Sequence, residues 1–149
     1  MKKYLLLAAT TMLISTWLLA AQATEPLAFQ GVMKDLGKHM QTIAGAIARE
    51  DWALVGKTAP LIAAHPQPPA AEKARIISYM GSNMARFKAF DMQTHEAAHA
   101  LEHAAMEKNG TGVIDAFREI QSGCLGCHQN FRAAFVEHFY GMKSAGTAQ

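Results

Sequence analysis

Six apolar residues near the start of the chain, Phe29, Met33, Leu36, Met40, Ile43 and Ile47, are separated by steps of 4, 3, 4, 3 and 4. Only an α-helix places such a series on one face, and only a helix packed along its length on other helices needs so narrow a stripe. Pro26 suits the first turn of this helix. Glu50-Asp51 marks its end, and Trp52 to about Ala64 forms a shorter second helix that Pro60 should kink or interrupt. His65-Pro66-Gln67-Pro68-Pro69 carries three prolines in four residues, which stops a helix and holds the chain extended. The spacing then predicts one long third helix from about Ala70 to Lys108, with the seam Ile76 (with Ile77), Met80, Met84, Phe87, Asp91, Thr94, Ala98, Leu101 and Ala105. Asn109-Gly110-Thr111-Gly112 ends it and caps a last helix, Val113 to Phe139, which offers Ile114, Phe117, Ile120, Phe131, Phe135 and Phe139 to the core. The tail from Gly141 is small and polar and should fray. With no strand alternation and no repeat, the expected fold class is all-α, an antiparallel four-helix bundle.

The segment before the first helix has a different character. Lys2 and Lys3 precede a mostly apolar run from Tyr4 to Leu19, and Ala21-Gln22-Ala23 follows as an A-x-A cleavage site. This pattern predicts a secretory signal peptide, residues 1–23, cut after Ala23 and leaving one domain, 24–149. The alternative is a membrane anchor, but the run falls short of the roughly 20 residues that span a bilayer. Without Lys2 and Lys3, twelve basic residues balance twelve acidic ones. A near-neutral mature chain lacks the basic patch or stripe expected of a nucleic-acid partner.

The chain has two cysteines, Cys124 and Cys127, and a histidine follows directly: Cys124-Leu125-Gly126-Cys127-His128. A bare CxxC is compatible with a disulfide, a redox dithiol or half a zinc site; the histidine makes it a c-type haem attachment signature. The two thiols add across the two vinyl groups of haem and form thioethers. The adjacent imidazole of His128 is then held under the iron as an axial ligand. Export fits, because bacteria attach c-type haem outside the cytoplasm. Zinc would need further thiolate or imidazole ligands close by.

The motif lies near the C-terminus, on the last helix, and in this the chain resembles the class II cytochromes c, which include cytochrome c′ and the low-spin cytochrome c-556 type. The resemblance is carried by Phe117 to Arg132, FREIQSGCLGCHQNFR, and by Val32 to Met40, VMKDLGKHM. It implies a four-helix bundle with one covalently bound haem c, electron transfer or gas binding rather than an enzyme's turnover, periplasmic redox partners and frequent homodimers. A dimer through the first two helices would use the small residues Ala44, Gly45, Ala46 and Ala48. No membrane association is expected after cleavage.

The ligand opposite His128 decides the chemistry. A thioether sulfur closes the iron, keeps it low-spin and raises its potential, which suits electron transfer. An open apolar face leaves it five-coordinate and able to bind NO or CO. By the resemblance, Met33 stands where the cytochrome c-556 type carries its ligating methionine, and Met33 lies on the inward seam. The other reading of Met33 is core filler, a common use of methionine. Met40, about two turns or roughly 10 Å further on, is read as core. Gln30 becomes the distal-pocket residue if Met33 does not bind. Pro26 occupies the place where the cytochrome c′ type often has an arginine, a departure that weakens the gas-binding reading. Phe131 is expected to pack against the haem ring, and Arg132 either neutralises a propionate or is solvated. Trp52 and Tyr79 are expected in the core rather than lining the pocket, and His39, a rival axial ligand, lies six residues or about 240° round the helix from Met33 and should face away from the iron.

His95, His99 and His103 recur at i, i+4 and i+8 on the third helix, beside Glu96, Glu102 and Glu107. Adjacent pairs share a face and form a candidate divalent-metal site, though the three span more than two turns. The competing reading is a solvated helix face. His65 and His138 carry no signal of their own.

Overall fold

The computed structural model describes residues 26–141. The proposed signal peptide and cleavage site, and the tail beyond Gly141, lie outside these residues. Among the described residues every regular element is helical: α1 (Ala28–Ile47), α2 (Trp52–Ala63), α3 (Ala70–Met80), a 3-10 turn (Gly81–Asn83), α4 (Met84–Met106), α5 (Gly110–Cys127), a π-helical stretch (His128–Arg132) and α6 (Ala133–Tyr140). None is long and apolar enough to cross a membrane. Laid end to end they make four rods: α1, α2, α3 with α4, and α5 with α6.

Two hairpin turns at one end of the bundle are built alike. After α1 the N–H of Asp51 bonds the Ala46 carbonyl and that of Glu50 bonds the Ile47 carbonyl. After α4, Asn109 bonds Ala104 and Lys108 bonds Ala105 in the same way. These are Schellman closures, and each puts a non-glycine residue in the left-handed region, Glu50 and Lys108 both at φ 55°. The next residue then caps the following helix. The Asp51 carboxylate accepts from Leu54 N–H at 3.0 Å, and Asn109 Oδ1 accepts from Gly112 N–H at 3.0 Å.

The opposite end is closed by a long-range contact. No local side chain caps α1. Instead Glu72 of α3 takes its first two amides, from Ala28 at 2.8 Å and Phe29 at 2.7 Å. Phe29 also meets Phe135 of α6, ring centroids 5.6 Å apart. The start of α1, the start of α3 and the end of α6 therefore share one end of the bundle, and the four rods alternate in direction as expected.

Several details differ from the sequence expectation. The long third helix is broken: Gly81 takes φ +49°, a conformation open to glycine, and a 3-10 turn re-aims the chain into α4. Pro60 does not interrupt α2, where the Ala64 N–H still bonds the Pro60 carbonyl at 2.8 Å. Ile114 and Ile77 are exposed, and Val113 takes the inward place next to Ile114. Ala46 is fully buried within the protomer, so it cannot belong to a dimer face.

The core consists of two clusters rather than one column. The larger lies toward the hairpin-turn end and is built on Ile43, Val55, Ile62, Leu101, Val113 and Ile120, with Leu36, Met40, Trp52 and Phe117 packed against it. The smaller lies at the Glu72 end and is built on Leu27, Ile76, Met80, Phe135 and Phe139, with Phe29, Tyr79, Phe87 and Phe131 against it. Met40, Trp52 and Tyr79 are thus core residues, as the sequence suggested.

Candidate functional site

Cys124 and Cys127 sit one turn apart at the end of α5, as free, half-buried thiols. Two glycines let this turn lie close against α4. A Cβ on Gly126 would come within 2.5 Å of the Phe90 ring, and one on Gly123 would meet Thr94 Oγ1 at 2.5 Å. Thr94 donates to the Phe90 carbonyl at 2.9 Å, and its hydroxyl partly offsets the effect of burial on the Cys124 thiol. Burial raises the pKa of both cysteines. Cys127 is pushed up to about 11, with the charges of Cys124 and Asp91 adding to the effect of burial.

At His128 the helix widens into its π-helical stretch. Asn130 Nδ2 donates to the Gly126 carbonyl at 2.7 Å, a side-chain bond inserted into the backbone ladder of the kind that distorts helices. Such stretches occur often at functional sites. His128 is largely exposed. Desolvation of its buried part, and then the charge of Arg132, hold its pKa below the usual value. That favours the neutral imidazole, the form that binds metal.

The site occupies the level between the two core clusters. On the last rod Cys124 packs against the larger cluster and Phe131 against the smaller, which brackets Cys127 and His128. On α1, Leu36 joins the larger cluster and Phe29 the smaller, which brackets Met33. Met33 is half-buried and belongs to neither cluster. On α4 the same level holds Phe90, Asp91 and Thr94, between Phe87 and Ala97. Phe131 meets Phe87 and Phe90 edge-on at 5.7 and 6.2 Å. Gln30 and Arg132 are exposed. A cavity of about 260 Å³ opens beside Phe131, between Tyr79, Arg86 and Asn130, and is not lined by either cysteine or by Met33.

The histidine stripe comes apart. His99 and His103 are 68% and 72% exposed and lie beside Glu102 and Glu107 on the helix surface. His95 turns away from them toward His65 of the proline-rich loop and Asp91, one turn back on α4. His95 Nε2 lies 3.1 Å from His65 Nε2, and His65 Nε2 lies 3.3 Å from Asp91 Oδ1. The bond to Asp91 is the main reason the His65 pKa is raised, with desolvation opposing it. The same bond lowers the pKa of Asp91, again against desolvation. Sequence reasoning missed this group, because His65 is 26 and 30 residues from its partners. The only local signal was the i, i+4 pair Asp91 and His95.

The donor set suits a c-type haem: two free thiols one helical turn apart and an imidazole on the next residue, with the half-buried Met33 thioether on the first rod as a further candidate ligand. The cytochrome c′ family model matches residues 25–132, a span that contains Met33 and the whole Cys124–His128 motif. The chain belongs to the cytochrome c′ family. Membership makes it a c-type cytochrome and implies haem c. No curated protein matches the cytochrome closely enough to add a relative.

Proposed function

We propose that this cytochrome is an electron carrier of the periplasm, with one haem held through Cys124 and Cys127 and its iron bound by His128 and Met33. The observation that carries this reading is the shared level of Met33 and His128. Each lies where the packed core gives way between its two clusters, one on the first rod and one on the last. Met40, two turns further on, packs against the larger cluster instead. The haem, when bound, supplies an iron that cycles between ferric and ferrous. Cys124 and Cys127 would hold the haem to the end of α5, and His128 and Met33 would supply the nitrogen and sulfur that bind its iron. The half-buried rings of Phe87, Phe90 and Phe131 would pack beside the haem. Arg132, exposed beside His128, is free to pair with a propionate. No substrate is transformed, so the protein is not an enzyme, and its partners are redox proteins of the same compartment. The family is generally periplasmic, in keeping with a cleaved leader at residues 1–23.

An absorption spectrum of the oxidised protein tests this. Methionine ligation gives a low-spin spectrum with a weak sulfur-to-iron band in the far red. Met33→Ala should abolish that band, turn the iron high-spin and open it to CO. A wild-type spectrum that is already high-spin and unchanged by Met33→Ala would replace this reading with the five-coordinate, NO- or CO-binding one.

A further inference from the structure

We infer that His65, Asp91 and His95 form a binding site for one divalent transition cation of the zinc class, built from none of the residues of the cysteine motif. Three ligand atoms converge on one point. His95 Nε2 and His65 Nε2 are 3.1 Å apart, His65 Nε2 and Asp91 Oδ1 3.3 Å, and His95 Nε2 and Asp91 Oδ1 3.6 Å. Bonds of about 2.0–2.1 Å to a tetrahedral Zn²⁺ put neighbouring ligand atoms roughly 3.3 Å apart. The triangle therefore matches one face of the zinc tetrahedron and leaves the fourth position to water.

The surroundings are those of a built site. The His65 side chain is only 8% exposed, and those of His95 and Asp91 are 30% and 43% exposed, against about 70% for the rest of the histidine stripe. His65 Nδ1 lies 3.2 Å from the Pro66 carbonyl. A carbonyl only accepts, so Nδ1 keeps a proton of its own, and a cation that displaces the proton shared between Nε2 and Asp91 meets the Nε2 lone pair. A hydrogen bond on the far ring nitrogen is the usual way a ligating histidine is oriented. Asp91 and His95, at i and i+4 on α4, present their groups on one face, and the proline-rich loop delivers the third ligand. Two imidazoles and one carboxylate suit Zn²⁺ and its first-row neighbours rather than Ca²⁺ or Mg²⁺. With Asp91 ionised, these lone pairs need a shared proton or a cation between them. The site would then tie the α2–α3 loop to α4.

The test is calorimetric titration of the chelator-stripped full-length protein with ZnCl₂ near neutral pH, with thermal melts in parallel. The expected result is saturation at one Zn²⁺ per chain and a Zn²⁺-dependent rise in melting temperature. His95→Ala and His65→Ala should each weaken binding by at least about 10-fold, because even an outer-shell partner is worth that much. His99→Ala and His103→Ala should bind as the wild type does. His65 lies in a loop, so its variant remains informative if the helix variant folds poorly. Absence of saturable binding, affinity unchanged in His65→Ala, or loss on replacing His99 would each overturn the site. Titrating haem-loaded protein alongside the Cys124→Ala/Cys127→Ala form keeps this result independent of the haem reading.

Discussion

At the scale of single residues, the glycines of the cysteine motif do more than make room for a turn. Gly126 faces the Phe90 ring so closely that a Cβ would lie 2.5 Å from it, and Phe90 is wedged edge-on against Phe131 at 6.2 Å. Gly37, on the outer face of α1, has nothing within 4 Å. Both lie inside helices, where alanine is favoured over glycine by about 0.8–1.0 kcal/mol. At Gly37 only that preference acts, so Gly37→Ala should stabilise by about that amount. At Gly126 the overpacking cost of about 1–3 kcal/mol opposes it, so Gly126→Ala should leave the protein net destabilised by up to about 2 kcal/mol. Denaturant unfolding of the two variants would show shifts of opposite sign; a gain at both positions would mean that Phe90 yields freely. Family membership was legible at this scale because the signature from Cys124 to His128 is local: five consecutive residues carry it. His65 was not, because its role depends on a loop folding back onto α4.

At the scale of elements, the chain's stops and starts were read well where residue type alone decides them. Glu50-Asp51, the proline-rich loop and Asn109 all fall at real boundaries. The break at Gly81 was missed because a helix usually tolerates a lone glycine, at a cost of about 1 kcal/mol, whereas here it takes a positive φ. The π-helical stretch was missed because the inserted Asn130 bond leaves no mark on the spacing of apolar residues. Closure of α1 by Glu72 is likewise invisible locally, since donor and acceptor lie 43 and 44 residues apart. The turn between α4 and α5 yields a prediction that isolates its two halves. Lys108 pays for a left-handed backbone that glycine adopts without a Cβ penalty. Lys108→Gly should therefore raise stability by about 0.5–1 kcal/mol, while Asn109→Ala, which removes the cap on Gly112, should lower it by about 1 kcal/mol. Thermal melts that moved the same way for both would contradict this account of the turn.

At the scale of the whole molecule, periodicity gave the four rods, their directions and most inward positions, but not the division of the core. A seam of apolar residues looks continuous in sequence, and Asp91 and Thr94 were the only hint that it softens midway. In the folded chain this is the level at which the two clusters separate, and it holds Met33, Asp91, Cys127 and His128. The clusters are unequal. The larger contains six fully buried large side chains from α1, α2, α4 and α5. The smaller rests on the aromatic residues of α6 and on the first turn of α1. A group bound only in the folded state adds to stability, and one attached at the level between the clusters would couple them. Production of Cys124→Ala/Cys127→Ala in the same cells, followed by hydrogen exchange, tests that coupling. The double variant should melt at least about 10 °C lower, a few kcal/mol for a domain of this size. Amides of α3, α6 and the first half of α1 should lose protection first, while those around Ile43, Leu101 and Ile120 stay protected. A uniform loss across both clusters would mean that the bundle is a single cooperative unit, and unchanged protection would mean that nothing bound at the cysteines holds the two halves together.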